Sequence, residues 1–248
     1  MSAGLTTEIS NGFAEVVMCA PPVNALTVQG WFDVADAVTK AGQNPDVRAV
    51  ILAADGKGFN AGVDIKEMQR TEGFEALVGA NKGCYAAFKA VYECEVPVIA
   101  AVGGYCLGGG IGLVGNADII LASDDATFGL PEVRQGALGA ATHLARLVPQ
   151  HKMRAMVYTT QTATAQELHA YGSVLQVTTR DELRGAARDV AAQIAQFDGT
   201  IIRAAKHCLN GIDPVDVNRS YRFEQGYTFE LNLTGVSDKS RDAFVGKK

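Results

Sequence analysis

An α/β fold with a mostly parallel sheet is predicted by three features of the chain. Short apolar runs read as buried strands, segments of helical periodicity lie between them, and glycine-rich turns join the two. The 248 residues suit one large domain or a domain with a small extension, and 48% hydrophobic residues supply a sizeable core.

The elements follow in order. LTTEIS, an Asn11-Gly12 turn and FAEVVMCA predict a β-hairpin that ends at Pro21-Pro22. Val28 to about Gly42 carries helical periodicity, and VRAVILAA (Val47 to Ala54) is apolar without alternation, as in a strand covered on both faces. DGKGFNAG (Asp55 to Gly62) is a glycine-rich loop leading into a helix at IKEMQR and a longer one over FEALVGANKGCYAAFKAVYE. VPVIAAV (Val96 to Val102) is a second buried strand. The stretch YCLGGGIGL (Tyr105 to Leu113) opens a helix near Gly109, and ADIILAS (Ala117 to Ser123) is a third buried strand. Helices are expected over Pro149 to Thr160, Ala165 to Tyr171 and Asp181 to Ala195, with a strand at SVLQV. From about Thr200 the chain is helix-rich and strand-free. A core over residues 1–195 and a helical region over 196–248 are the expected division.

Composition excludes several functions. The formal charge is −5 and no basic run exceeds Lys247-Lys248, which argues against a nucleic-acid surface. No apolar run reaches the roughly 20 residues of a membrane span. The opening MSAGLTTEISNG lacks the basic and apolar regions of a signal peptide, so the expectation is a cytoplasmic protein. Five cysteines without CxxC spacing argue against a disulfide framework or a zinc site. Cys106 lies inside the glycine stretch but has no histidine near it in sequence, which disfavours a nucleophile.

Two glycine turns, FNAGVDIKEM and YCLGGGIGL, each follow a buried strand and precede a helix. Such turns either permit tight strand–helix packing or leave free N–H groups at a helix start. Brought together, two such N–H groups would hold one developing oxyanion. Gly110, Gly112 and Gly115 also fit the G-x-G-x-x-G pattern of dinucleotide binding. The next strand follows too soon for a βαβ helix, and no acidic residue stands at the proper offset.

These residues carry a family resemblance. PPVNAL (Pro21 to Leu26), KGFNAGVDIKEM (Lys57 to Met68) and PVIAAVGGYCLGGGIGL with ADIILASDDATFGLPEVRQG (within Pro97 to Gly136) resemble the motifs of the crotonase, or enoyl-CoA hydratase/isomerase, superfamily. The resemblance covers nearly the whole chain. It implies a spiral of ββα units and a C-terminal helical trimerisation region, with homotrimers or hexamers as the assembly. It implies an acyl-CoA substrate, no metal and no separate cofactor, since coenzyme A is part of the substrate. By motif position the N–H groups of Val63 and Gly109 form the oxyanion hole. Ala61, Asp64, Ile65, Lys66, Gly108 and Gly112 line the substrate.

The acid positions depart from the family. Hydratases carry glutamate shortly after the triple glycine, where this chain has Gly112, and a second in G-x-P-E, kept here as Glu132. A third acid position, four residues after Gly136, holds Ala140. Glu132 is therefore the leading catalytic candidate, with a structural carboxylate as the alternative. His143 and Asp64 are further candidates for proton chemistry, each weighed against a packing role. Gly112 is expected to make room for a bulky, cyclic acyl group. KGFNAGVDIKEMQRTEGF, VYECEVPVIAAV and SYRFEQGYTFELNL resemble an actinobacterial branch of the family linked to breakdown of the last steroid rings. That resemblance implies hydrolytic ring opening of a bicyclic diketone CoA thioester. Enoyl-CoA hydration or isomerisation, and non-catalytic acyl-CoA binding, are the competing readings. Tyr221, Arg222, Glu224 and Tyr227 form a polar, aromatic face at helical spacing, read as a solvated or trimer-packing surface or as a reach into a pocket.

Overall fold

The computed structural model describes residues 4–245. The hairpin forms as its turn demands: β1 (Leu5–Ser10) pairs antiparallel with β2 (Phe13–Met18), and Asn11 and Gly12 take φ of 52° and 81°. Then β3 (Ala49–Ala54), β4 (Val98–Val102), β6 (Ile119–Ser123) and β9 (Gln176–Thr178) extend it in parallel. The six-stranded sheet has the order β1-β2-β3-β4-β6-β9.

Both faces of this sheet are covered, which is why its strands lack polar alternation. Val50, Leu52, Val98 and Ala100 face a core completed by α1 (Val28–Gln43) and α3 (Glu75–Tyr92). Ala49, Ile51, Ile99 and Leu121 face α8 (Arg180–Ala195) through Leu183, Ala187 and Ala191. In α1 the buried Trp31, Val34, Ala35, Val38 and Ala41 recur at helical spacing, and the Thr27 side chain caps the first turn.

A second sheet runs β5-β7-β8, from β5 (Tyr105–Leu107), β7 (Thr127–Gly129) and β8 (Ala163–Thr164). In the middle of the chain, successive turns give one strand to the large sheet and the next segment to the small one. Thus β4 leads to β5 as β6 leads to β7, and a parallel bridge from Asn60 to Cys106 adds the segment after β3. This is the ββα repeat that the family resemblance implied. The sequence reading missed β5, β7 and β8. At two or three residues each, they are too short to show a period.

Three helices close the chain: α9 (Gly199–Gly211), α10 (Val217–Leu233) and α11 (Val236–Val245). They are fixed to the core by specific polar contacts. Lys206 of α9 is 3% exposed, and its Nζ lies 2.8 Å from both carboxylate oxygens of Asp118. Asp118 in turn accepts a bond from the Val98 N–H at the start of β4. Glu224 of α10 accepts from the N–H groups of Ala141 and Thr142 at the start of α5 (Ala141–Leu144). Among the described residues no helix is long and apolar enough to cross a membrane.

Asp118→Ala would leave the Lys206 ammonium buried and unpaired. A loss of about 3 kcal/mol is expected, on the order of 5–10 °C in the melting temperature. Thermal denaturation of Asp118→Ala against the double variant Asp118→Ala/Lys206→Met checks it, with the double variant the milder of the two.

Candidate active site

The two glycine turns meet. A Cβ placed on Gly62 would stand 3.3 Å from the backbone nitrogen of Gly109. Gly62 has φ of +89° and Gly108 of +57°, a region open to glycine at no steric cost. Gly109 must also stay bare, because a Cβ there would fall 2.6 Å from Cη2 of Trp31.

Two buried asparagines shape the first turn. Asn60 Oδ1 accepts from Gly62 N–H at 2.8 Å, and Asn60 Nδ2 donates to the Asn24 carbonyl at 2.7 Å. The Asn24 side chain donates to the carbonyls of Asp55 and Gly58 and accepts from Ala20 N–H. The asparagine of PPVNAL is thus a structural strut of the FNAG turn. Leu26 then bridges this turn: its N–H donates to Gly62 O and its carbonyl accepts from Asp64 N–H, both at 2.9 Å. That pattern passes over Val63, whose N–H has no acceptor among the described residues. Among the same residues the N–H of Gly109, at the start of α4 (Gly109–Val114), has none either.

Beside the turns is a cavity of about 150 Å³. Ala61, Val63, Ile65, Gly108 and Gly109 form one wall. Cys84 and Phe88 of α3 form another, and Tyr221, Thr228 and Asn232 of α10 a third. Glu132 enters at the first residue of a 3-10 turn (Glu132–Gln135). A Cβ on Gly108 would lie 2.6 Å from Glu132 Oε1, so Gly108 also makes way for this carboxylate. Oε2 is out of solvent contact and has no hydrogen-bond partner among the described residues. Burial pushes the carboxyl up to about 8, with the Glu224 carboxylate adding to the rise. Such a group is a base matched to neutral or mildly alkaline pH.

The other sequence candidates sit elsewhere. His143 does not line the cavity: it is 1% exposed, behind Phe88 and Tyr221, with both ring centroids 5.0 Å away. Neither ring nitrogen has a partner among the described residues, and burial pushes its pKa down to about 3, so it is neutral packing. Asp64 is the cap of α2 (Ile65–Arg70), accepting from Lys66 N–H at 2.9 Å, and does not face the cavity. Lys66 is exposed on α2 outside the cavity. Cys106 is fully buried, its thiol pushed well up by burial, as an inert core residue would be.

On α10 the division differs from the expected face. Tyr221, Gln225, Thr228 and Asn232 are the buried stripe, whereas Arg222 lies over the Tyr85 ring and Tyr227 packs edge-on against Phe223 outside the cavity. The sequence signal was present: the four recur at intervals of four, three and four, one face of a helix. Cys84 and Phe88 gave no such signal, since small and aromatic residues on α3 read as core.

The family model for enoyl-CoA hydratase/isomerase matches residues 8–248. The chain belongs to this family. Among curated proteins, a "(7aS)-7a-methyl-1,5-dioxo-2,3,5,6,7,7a-hexahydro-1H-indene-carboxyl-CoA hydrolase" of Rhodococcus jostii is 65% identical, over 98% of this chain and 94% of that protein. The protein of the same name in Mycobacterium tuberculosis is 66% identical, over 95% and 96%. Of solved structures, an enoyl-CoA hydratase/isomerase of Pseudoalteromonas atlantica superposes with a TM-score of 0.87 at 24% identity, covering 99% of this chain and 98% of that one. One of Xanthobacter autotrophicus gives 0.86 at 24%, covering 93% and 88%. These two structures establish the fold.

Against the acid positions of the enoyl-CoA hydratase family, position 112 corrects one expectation. Gly112 opens no room for substrate. A Cβ there would meet the Phe88 ring at 2.1 to 2.5 Å, and Gly112 is buried outside the cavity lining. Phe88 has taken the volume that a side chain at 112 would need. Ala140, the third acid position, is buried and lines the cavity with a methyl group. Gly112→Ala is accordingly expected to destabilise by about 1–3 kcal/mol through overpacking. Phe88→Leu in the same chain should recover much of that loss, as thermal melts of the two variants would show.

Proposed function

We propose that the chain is a carbon–carbon hydrolase that opens a ring of a bicyclic diketone CoA thioester in steroid-ring breakdown. One observation carries the chemistry: a single desolvated carboxylate, Glu132, faces the cavity beside two unbonded N–H groups, and both other family acid positions lack a side chain that ionises. Hydration by a pair of glutamates does not fit that set, whereas hydrolysis of an activated ketone needs one base. The two hydrolases about two-thirds identical to this chain support the same reading.

The thioester oxygen sits between Val63 N–H and Gly109 N–H. Glu132 takes a proton from water as its oxygen attacks the ring ketone. The tetrahedral adduct collapses, the ring C–C bond breaks, and its electron pair passes to the carbon conjugated with the thioester. The two N–H groups hold the resulting enolate oxyanion. Glu132 returns the proton to that carbon, so the net change is one water consumed and one carboxylate formed. The reaction needs no cofactor, coenzyme A being part of the substrate.

The assembly is a homotrimer or a dimer of trimers. Ile201 and Leu209 on α9, Ile212 just after it, and Phe223 and Leu233 on α10 are large apolar side chains at least 60% exposed, a surface that association would cover. Light scattering should return at least three times the 26.1 kDa chain mass, and a monomer mass would refute it.

Reaction in ¹⁸O-labelled water tests the function. Label is expected in a new carboxylate; label in a new hydroxyl would mean hydration instead. Because the base form of Glu132 is required and burial favours its protonated form, kcat/KM should rise with pH and level off above about 8. Glu132→Gln should lose about 10²–10⁴-fold in kcat and abolish that limb while still binding acyl-CoA.

A further inference from the structure

Glu132 faces two cavities. The second, of about 300 Å³, lies between the 3-10 turn and α6 (Gln150–Thr159), and Glu132, Leu138 and Gly139 line both. A Cβ on Gly139 would meet nothing within 4 Å, so there is open space beside the backbone that the two cavities share. The second cavity's walls are mostly apolar, with Leu130, Val133, Met153 and Val157. Its polar groups are Glu132, Glu224, Arg154 and Tyr158.

The charges there are unevenly matched. The Glu224 oxygens are taken up by the N–H groups of Ala141 and Thr142 and the Thr142 hydroxyl. Lys152, two residues before Arg154 on α6, is paired with Glu167 at 2.8 Å. Arg154 has neither an ion pair nor a hydrogen bond among the described residues. An arginine at the edge of an apolar cavity offers a planar fork suited to a carboxylate.

We propose that this second cavity receives the part of the acyl group beyond the scissile bond, and that Arg154 binds the carboxylate that ring opening creates. The inference rests on the hydrolytic reading above. Water supplies its oxygen to the ketone carbon, the C–C bond breaks, the departing carbon takes the proton, and the new carboxylic acid ionises. That anion arises beside Glu132 and near Glu224, neither of which offers it a positive charge. Arg154 supplies the opposing charge, and the apolar walls cover the remaining carbon skeleton.

The test uses unreactive probes and reads binding alone. Saturated ω-carboxylated acyl-CoA thioesters, from glutaryl- to suberyl-CoA, are compared by calorimetry with neutral acyl-CoA thioesters of the same chain length. The wild-type chain should bind at least one carboxylated probe about fivefold more tightly than its neutral match. Arg154→Met should erase that preference with neutral-probe affinity unchanged, and Arg154→Lys should retain part of it. A preference that survives in Arg154→Met, no preference in the wild type, or equal weakening of both probe classes would each overturn the proposal. If the preference depends on Arg154 but ¹⁸O enters a hydroxyl, the hydrolytic reading fails and the carboxylate site stands.

Discussion

The contact between the Gly62 turn and the Gly108-Gly109 turn is the constraint on which the site depends. Two backbones from different turns of the spiral approach until a single methyl group would part them. Their proximity brings two unbonded N–H groups to one side of the cavity, and a preorganised pair of donors is worth far more there than in water. The asparagines Asn24 and Asn60 hold one turn; the Trp31 ring and β5 hold the other. In the proposed reaction no side chain need touch the thioester oxygen, so much of that chemistry would be carried by residues that look inert.

Around that contact, burial sets the electrostatics. Glu132 keeps an oxygen away from both solvent and partner, at a cost to folding that rises as the carboxyl ionises. The sign is the reverse of a salt-bridged carboxylate: the raised pKa favours the folded state at low pH and weakens it between about 4.5 and 8. The Glu224 carboxylate is also raised by burial, but the start of α5 meets it with two N–H groups and a hydroxyl. One carboxylate is thereby given a structural task and the other is left available. Through Glu224 the C-terminal helices also fix the segment that carries Leu138 to Ala140, so they complete the site as well as offering an apolar outer face.

Position 112 shows how a local reading goes astray. In sequence, a glycine where relatives have glutamate looks like vacated space. In the folded chain, Phe88 from α3 fills it and stacks edge-on against Trp31 and His143. The apolar core was extended into the acid position, and the same packing leaves His143 neutral without a hydrogen bond. A histidine among small residues draws attention in one dimension; its aromatic neighbours come from 55 residues upstream and 78 downstream (143 − 88 and 221 − 143).

The sequence by itself determined the α/β class, the buried parallel strands and the two glycine turns; set beside the family's motifs, it also showed Glu132 kept and the partner acid position held by Gly112. These are local properties: apolar runs, helical periods, and glycine where a backbone must stay bare. Only the tertiary structure decided which polar groups face the cavity. It placed Asp64 on a helix cap and His143 in the core, and it brought Tyr221, Thr228 and Asn232 across from α10. It also opened a second cavity on Glu132. Burial and proximity belong to pairs of distant segments, and neither is a property of the residues that carry them.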